Sequence, residues 1–209
     1  NIELKEYTNG FFDSGAKGII VKNSSKYNGN NFNYYSYKTT DNSNSDLYVF
    51  FHGENAKSKE FFDTTGLHNT LKKNGSFISI NSPKEHWYSD ENSVRDIKYF
   101  SLHLIREYIN ALRFRNVYLI GYSSGGTLVN ELMCDYRFSF VKGVANIGGS
   151  IHGKNLEQCN LDKKLFPYLF VYGDMNEFYG YKNKDLQNSS KLLPPNNSKT
   201  LFDAELKLS

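Results

Sequence analysis

Hydrophobic positions fall in short runs of strand length, separated by stretches where they recur at helical spacing. Gly18-Ile19-Ile20-Val21 and the Tyr- and Phe-rich segment Phe32 to Lys38 predict two strands, with polar turn stretches at Asn23 to Asn31 and Thr39 to Asp46. Leu47-Tyr48-Val49-Phe50-Phe51 is a continuous apolar run, as expected of a strand buried on both faces, and it leads into His52-Gly53-Glu54-Asn55. A helix is predicted from Ser58 to Lys73, stopped by Asn74-Gly75, then a strand at Phe77 to Ile80 closed by Asn81-Ser82-Pro83. The most regular helical pattern spans Ser93 to Leu112. Ile97, Phe100, Leu104, Ile105, Tyr108, Ile109 and Leu112 share one face, and Asp90 or Ser93 can cap it.

The rhythm continues with a strand at Val117 to Ile120, a helix at Gly125 to Cys134, and strands at Val141 to Ile147 and Leu165 to Tyr172. After Tyr181 the chain turns polar through Pro194-Pro195-Asn196-Asn197, with a weak strand signal at Thr200 to Leu208. Strands alternating with helices predict an α/β domain spanning residues 1–209: a mostly parallel sheet with helices on both faces. Ligands of such sheets bind beyond the carboxyl ends of the strands, where His52, Ser123, His152 and Asp174 fall.

Bulk properties change this picture little. A chain of 209 residues with 39% hydrophobic residues can bury one large core. Its net charge of +3, with both signs interspersed, argues against a nucleic-acid surface. No window approaches the ~18 apolar residues of a membrane span. Asn1 is not an initiator methionine and no basic-plus-apolar leader precedes the domain, so a processed or trimmed chain is expected. Cys134 and Cys159 are either one disulfide or two free thiols; neither they nor the five scattered histidines form a metal-ligand pattern.

The candidate chemistry centres on Gly121-Tyr122-Ser123-Ser124-Gly125-Gly126. G-x-S-x-G between an apolar strand and an apolar helix is a sharp turn that exposes a serine hydroxyl, with glycines where neighbouring backbone comes close. The helix that starts there aims N–H groups at developing negative charge. The bland alternative is a Gly/Ser turn entering a helix. His52-Gly53 lies where an oxyanion loop is expected, which would contribute the backbone N–H of Glu54 beside that of Ser124. The His52 imidazole then holds the loop; a role as ligand or base is the alternative.

Together these residues resemble the α/β-hydrolase esterases related to polyhydroxybutyrate depolymerases and feruloyl esterases. The resemblance covers about Asn33 to Tyr181 and rests on order and spacing. It takes in His52-Gly53, the Ser93-Val94-Arg95-Asp96 helix start, the G-x-S-x-G-G turn, and Leu132-Met133-Cys134-Asp135-Tyr136. It continues through Ala145-Asn146-Ile147-Gly148-Gly149, Cys159, and the Pro-led strand Phe166 to Gly173. It implies a serine carboxylesterase with Ser123 as nucleophile and no metal or organic cofactor. The substrates it suggests are small or polymeric esters, hydroxyalkanoate or hydroxycinnamoyl, with an intracellular acyl ester or thioester as alternative. It also implies a Cys134–Cys159 disulfide, hence an exported protein; free thiols in a cytosolic enzyme are the alternative.

Two departures from the family pattern bear on the mechanism. The relatives end the acid strand in His-Gly-Thr-x-Asp, whereas this chain reads Tyr172-Gly173-Asp174-Met175-Asn176, placing a neutral amide at the usual acid position. Asp174 is the expected acid, with Asn176 and Glu177 as the competing positions. The fold's chain order is nucleophile, acid, histidine, yet no histidine follows Asp174. The five are His52, His68, His86, His103 and His152. His68 and His103 fall in helical patterns, and His86 beside Trp87 could line a pocket. The base is expected on a C-terminal segment beyond Ser209, with His152 as the alternative within the chain. A hydrolase fold that has lost its acid and base, and serves as a binding module, is the rival from a different class.

Overall fold

The computed structural model describes residues 5–11, 18–39, 46–53, 57–58, 75–83, 91–149 and 167–171. Eight strands form one sheet: β1 (Lys5–Phe11), β2 (Gly18–Tyr27), β3 (Asn30–Thr39), β4 (Asp46–Phe51), β5 (Ser76–Ile80), β6 (Asn116–Tyr122), β7 (Gly143–Ile147) and β8 (Tyr168–Val171). Two described helices accompany them, α1 (Glu91–Leu112) and α2 (Ser124–Met133). The order across the sheet is β1-β2-β3-β5-β4-β6-β7-β8. β5 through β8 are mutually parallel with β4 and β6 at the centre, while β1, β2 and β3 join as an antiparallel flank.

Alternation along the strands decides which face each side chain fills. Phe32, Tyr34, Leu47, Val49, Phe51, Ile78, Ile80, Val117 and Leu119 form one core with Ile97, Phe100, Leu104 and Ile105 of α1 and Leu128, Val129 and Leu132 of α2. Both described helices therefore cover the same face. Tyr108, Ile109 and Leu112 pack at its margin, so the helical stripe read along α1 is the buried one. The stacked pair Phe32–Phe100, with ring centroids 4.2 Å apart, joins the antiparallel flank to α1. On the opposite face Tyr37, Phe50, Phe77 and Ile120 form a smaller buried cluster. The helix expected at Ser58 to Lys73 lies outside the described residues except for Ser58, as does the weak strand at Thr200 to Leu208.

The flank differs from the sequence expectation in two places. The polar stretch Asn23 to Asn31 is mostly strand: β2 runs to Tyr27, and only Asn28-Gly29 form the turn, both with positive φ (47° and 80°). Such two-residue Asn-Gly turns match the twist of a hairpin. The polar residues are accommodated in pairs across the ladder, with the buried Asn23 donating to Ser36 Oγ at 2.9 Å. β1 has no counterpart among the predicted elements. Its sequence KEYTNGF has no hydrophobic alternation to read, and its pairing with β2 is irregular between Tyr7 and Phe11.

Register shows which end of the sheet matters. Phe51 lies opposite Ile80 and Gly121, and Tyr122 opposite Ile147, so β4, β5, β6 and β7 end at one edge. Tyr34 pairs with Ile80, which carries the β2–β3 hairpin tip past that edge. The tip is held to α1 by the Asp96 carboxylate, which accepts from Asn28 and Asn30 at 3.0 Å each.

Beyond α2, a single 3-10 turn (Tyr136–Phe138) is capped by Asp135, which accepts from the Arg137 N–H at 3.0 Å. Asp135 also pairs with the Arg137 guanidinium and with Lys98 of α1 at 3.2 Å. The Arg137 hydrogen bonds, aided by Lys98, outweigh burial and hold the Asp135 carboxyl well below the usual carboxylate range. A carboxyl depressed on folding stabilises the fold above its unfolded pKa of about 4, and that contribution is lost as pH falls toward the folded value. Urea denaturation should therefore show Asp135→Asn less stable than wild type by about 1–3 kcal/mol at pH 7. The gap should narrow as pH drops from 4 to 2; a gap independent of pH would contradict the ion-pair assignment.

Candidate functional site

β6 passes into α2 through one residue, Ser123, with φ 52° and ψ −122°. Positive φ at a non-glycine residue is costly and persists only where the surroundings enforce it. The enforcement here is backbone packing from both sides. The Ser123 N–H donates to Ile147 O of β7 at 2.8 Å, while Ser123 O accepts from Gly126 N and Thr127 N at 2.9 and 3.2 Å. A Cβ on Gly121 would stand 2.6 Å from Gly126 Cα, and one on Gly125 2.6 Å from the Phe51 carbonyl carbon. Neither position has room for a side chain, so both glycines of the G-x-S-x-G pattern serve close approach.

Ser123 occupies the N-cap position of α2, but its side chain makes no capping bond. A capping serine ordinarily has extended backbone and accepts from the helix's first turn; the positive φ forbids that. Among the described residues no group accepts from the N–H of Ser124 or Gly125, and no acidic side chain lies in the first turn. Among the described residues nothing compensates the positive end of α2, beside the half-buried Ser123. Ser124 Oγ is itself buried, with no hydrogen-bond partner among the described residues.

The loop after β4 lies against this turn. A Cβ on Gly53 would meet the Tyr122 ring at 3.0 Å and Ser123 Cβ at 3.2 Å. His52 is buried; Ser82 N–H donates to its Nε2 at 3.0 Å, and its Nδ1 lies 2.7 Å from Gly53 O. Because Nε2 accepts, the proton sits on Nδ1 and is donated to the Gly53 carbonyl. Both ring nitrogens are engaged with backbone, which makes His52 a brace for the loop between β4 and β5.

Sequence reasoning missed a third component, the buried polar network under the turn. Asn146 of β7 is fully buried; its Oδ1 accepts from Gly149 N at 2.8 Å and its Nδ2 lies 3.3 Å from Gly149 O and from Tyr168 Oη. Tyr168 Oη bonds in turn to Asn130 of α2. The signal was Asn146 near the end of the predicted strand Val141 to Ile147. A Cβ on Gly149 would stand 2.5 Å from Gly126 C and Thr127 N, so this network seats the start of α2 on the end of β7.

Of the sequence-predicted site residues, Ser123 and Ser124 are brought together with His52-Gly53 at the carboxyl edge. Glu54, His152, Asp174, Asn176, Glu177 and Cys159 lie outside the described residues, as do His68 and His86. His103 is on α1, lining a groove against Tyr27. Cys134, at the C-terminus of α2, is disulfide-bonded. Among the described residues no group of His, Cys, Asp or Glu is arranged to hold a metal ion, and no helix is long and apolar enough to cross a membrane.

No protein-family model and no curated protein sequence matches the chain. Solved structures do. Acetyl xylan esterase 1 from Thermoanaerobacterium sp. JW/SL YS485 superposes with a TM-score of 0.58 at 16% identity, over 79% of this chain and 58% of that one. An arylesterase gives 0.52 at 18% identity, over 64% and 45%, and a Pyrobaculum calidifontis esterase 0.51 at 19%, over 64% and 46%. The chain spans about half the length of these proteins. At such identities the likeness is one of fold: the α/β-hydrolase type, with its mostly parallel sheet.

The strain at Ser123 predicts a stability effect. Ser123→Gly should melt at or above the wild-type temperature, because glycine takes positive φ at little cost, whereas Ser123→Ala keeps the strain. A difference of about 1 kcal/mol between the two variants, glycine the more stable, is expected in thermal unfolding. Alanine the more stable would place Ser123 in an unstrained conformation.

Proposed function

We propose that the protein is a serine carboxylic ester hydrolase in which Ser123 Oγ attacks the ester carbonyl. The observation that carries this reading is the enforced positive φ of Ser123 at the start of α2, which no described residue compensates. A Gly/Ser turn entering a helix has no need of that strain. The Ser124 N–H is one oxyanion donor, and the Glu54 N–H is the second. A peptide unit is planar and trans, so its N–H points opposite to its carbonyl. The Gly53 carbonyl is held by His52 Nδ1–H; a trans unit there would turn the N–H of the next residue away from the imidazole. His52 thereby positions an oxyanion donor instead of serving as base. Esterases of the same fold, named above, support the reaction class.

Attack would form the Oγ–carbonyl bond and a tetrahedral oxyanion. Its collapse would break the bond to the alcohol oxygen, leaving an acyl-enzyme that water hydrolyses. A base must take the Ser123 proton and return it to the leaving alcohol. His52 is engaged at both nitrogens, and no histidine follows Asp174. We assign the role to a histidine outside residues 1–209, with His152 as the alternative, oriented by Asp174 in preference to Asn176 or Glu177. The substrate is a small or polymeric carboxylic ester. The rival reading, a binding module that has lost its acid and base, is favoured by Asn176 and by the histidine count.

A fluorophosphonate probe should label Ser123 in a form that includes the base, and Ser123→Ala should abolish labelling. Labelling at Ser124 would overturn the assignment, and no labelling in any form would favour the binding module. Residues 1–209 alone should hydrolyse p-nitrophenyl esters weakly, at the roughly 10³–10⁴-fold residual acceleration that an oxyanion hole and binding supply. In the active form Asp174→Asn should cost far more than Asn176→Ala; the reverse order transfers the acid role. Full activity of residues 1–209 that His152→Ala silences would make His152 the base.

We further propose that the partner of Cys134 is Cys159 and that the protein works in an oxidising compartment. Closing that loop would stabilise the fold by roughly 3 kcal/mol through chain entropy. Mass spectrometry of unreduced protein should find no alkylatable thiol, and reduction should lower the melting temperature. Two alkylatable thiols would refute the bridge, and the inference of export with it.

A further inference from the structure

The β2–β3 hairpin and α1 enclose a groove of about 490 Å³ on the helix-covered side of the sheet. One wall is Lys26 and Tyr27, ending at Asn28 of the turn; the other is Tyr99, Leu102, His103 and Arg106, successive positions on one face of α1. Both walls are rigid. The Tyr27 ring packs on Phe32 and Phe100, at centroid distances of 6.4 and 6.3 Å, and Leu102 is buried. The Asp96 carboxylate clamps the hairpin tip to the helix by accepting from Asn28 and Asn30. The Arg137 guanidinium lies 4.5 Å over the Tyr99 ring and fixes that side chain too.

The chemistry of this lining is one-sided. Lys26 and Arg106 are exposed cations and His103 is a partly exposed imidazole; among the described residues no carboxylate lines the groove, the Asp96 carboxylate being bonded to Asn28 at its end. Tyrosine faces beside cations suit a ligand that has both flat apolar surface and negative charge. The whole chain carries only +3, with both signs interspersed, so the attraction is local and does not suit a long nucleic-acid backbone. A sugar ring bearing a carboxylate fits both features.

Position links the groove to Ser123. The hairpin tip extends about 13 Å beyond the carboxyl edge, taking four residues past Tyr34 at strand rise. β2 stands four places from β6 in the sheet order, a lateral separation of about 19 Å. An extended polymer lying along the carboxyl edge would reach from one to the other.

We propose that this groove is a distal subsite for a uronate-bearing polysaccharide. Lys26 and Arg106 pair with carboxylates, the tyrosine rings pack on sugar faces, and His103 hydrogen-bonds a hydroxyl. The link to catalysis rests on the ester-hydrolase reading; the binding itself does not.

Calorimetric titration of the chain with hexagalacturonate tests it directly. Saturable binding is expected, weakened at least tenfold in Lys26→Glu/Arg106→Glu with an unchanged melting temperature. A neutral xylohexaose should bind at least tenfold more weakly. Backbone amide shifts on titration should centre on Tyr27 and Tyr99. Absence of saturable binding, equal affinity in the double variant, equal affinity for the neutral sugar, or tighter binding of a six-nucleotide single strand would each overturn the subsite. Binding with no Ser123 labelling in a form that includes the base overturns the hydrolase reading alone, and labelling without binding overturns the subsite alone.

Discussion

The arrangement depends on how closely α2 approaches the ends of three parallel strands. Gly125 lies against the Phe51 and His52 carbonyls, Gly126 against Asn146 and Gly149, and Gly121 against Gly125 itself. Apart from the Asn146 side chain, backbone meets backbone at these points, so the chain has a single residue in which to reverse from strand to helix. Ser123 takes the positive φ that this reversal demands. A side chain at any of these glycines would push α2 off the sheet and let Ser123 relax. The strain is thus a product of packing, stored at the one residue that joins β6 to α2.

That packing also fixes the electrostatics. An ordinary serine at this position would cap the helix and quench its first-turn donors. Held in the reversed conformation, Ser123 leaves the Ser124 N–H unbonded among the described residues and directs the positive end of α2 at its own surroundings. The neighbouring loop is braced with comparable economy, one imidazole tying the Gly53 carbonyl to the Ser82 N–H. Beneath both, Asn130, Tyr168 and Asn146 join α2, β8 and β7 in one satisfied polar cluster. Buried polar groups satisfied in this way rigidify their surroundings, and half-satisfied ones would destabilise them.

The central strands were legible because burial on both faces demands uninterrupted apolar runs, as in Leu47 to Phe51 and Val117 to Ile120. α1 was legible from its one-sided stripe. The hairpin was misread because its strands carry Asn and Ser where apolar residues were sought; Asn23 and Ser25 are buried all the same, and only Asn28-Gly29 turn. β1 lacks any alternation. Within the site, Ser123 and Gly53 were readable from motif and placement, since close approach leaves a glycine signature. The Asn146–Tyr168–Asn130 network was not, because hydrogen-bonding complementarity between residues on three elements has no local pattern.

As proposed, the turn at Ser123 holds a nucleophile against two backbone oxyanion donors. A crystal structure of the phosphonate adduct measures this directly. The account predicts phosphorus bonded to Ser123 Oγ, with the phosphonyl oxygen about 2.7–3.1 Å from the N–H groups of both Ser124 and Glu54. An adduct whose phosphonyl oxygen faces solvent, with neither N–H in reach, would contradict it.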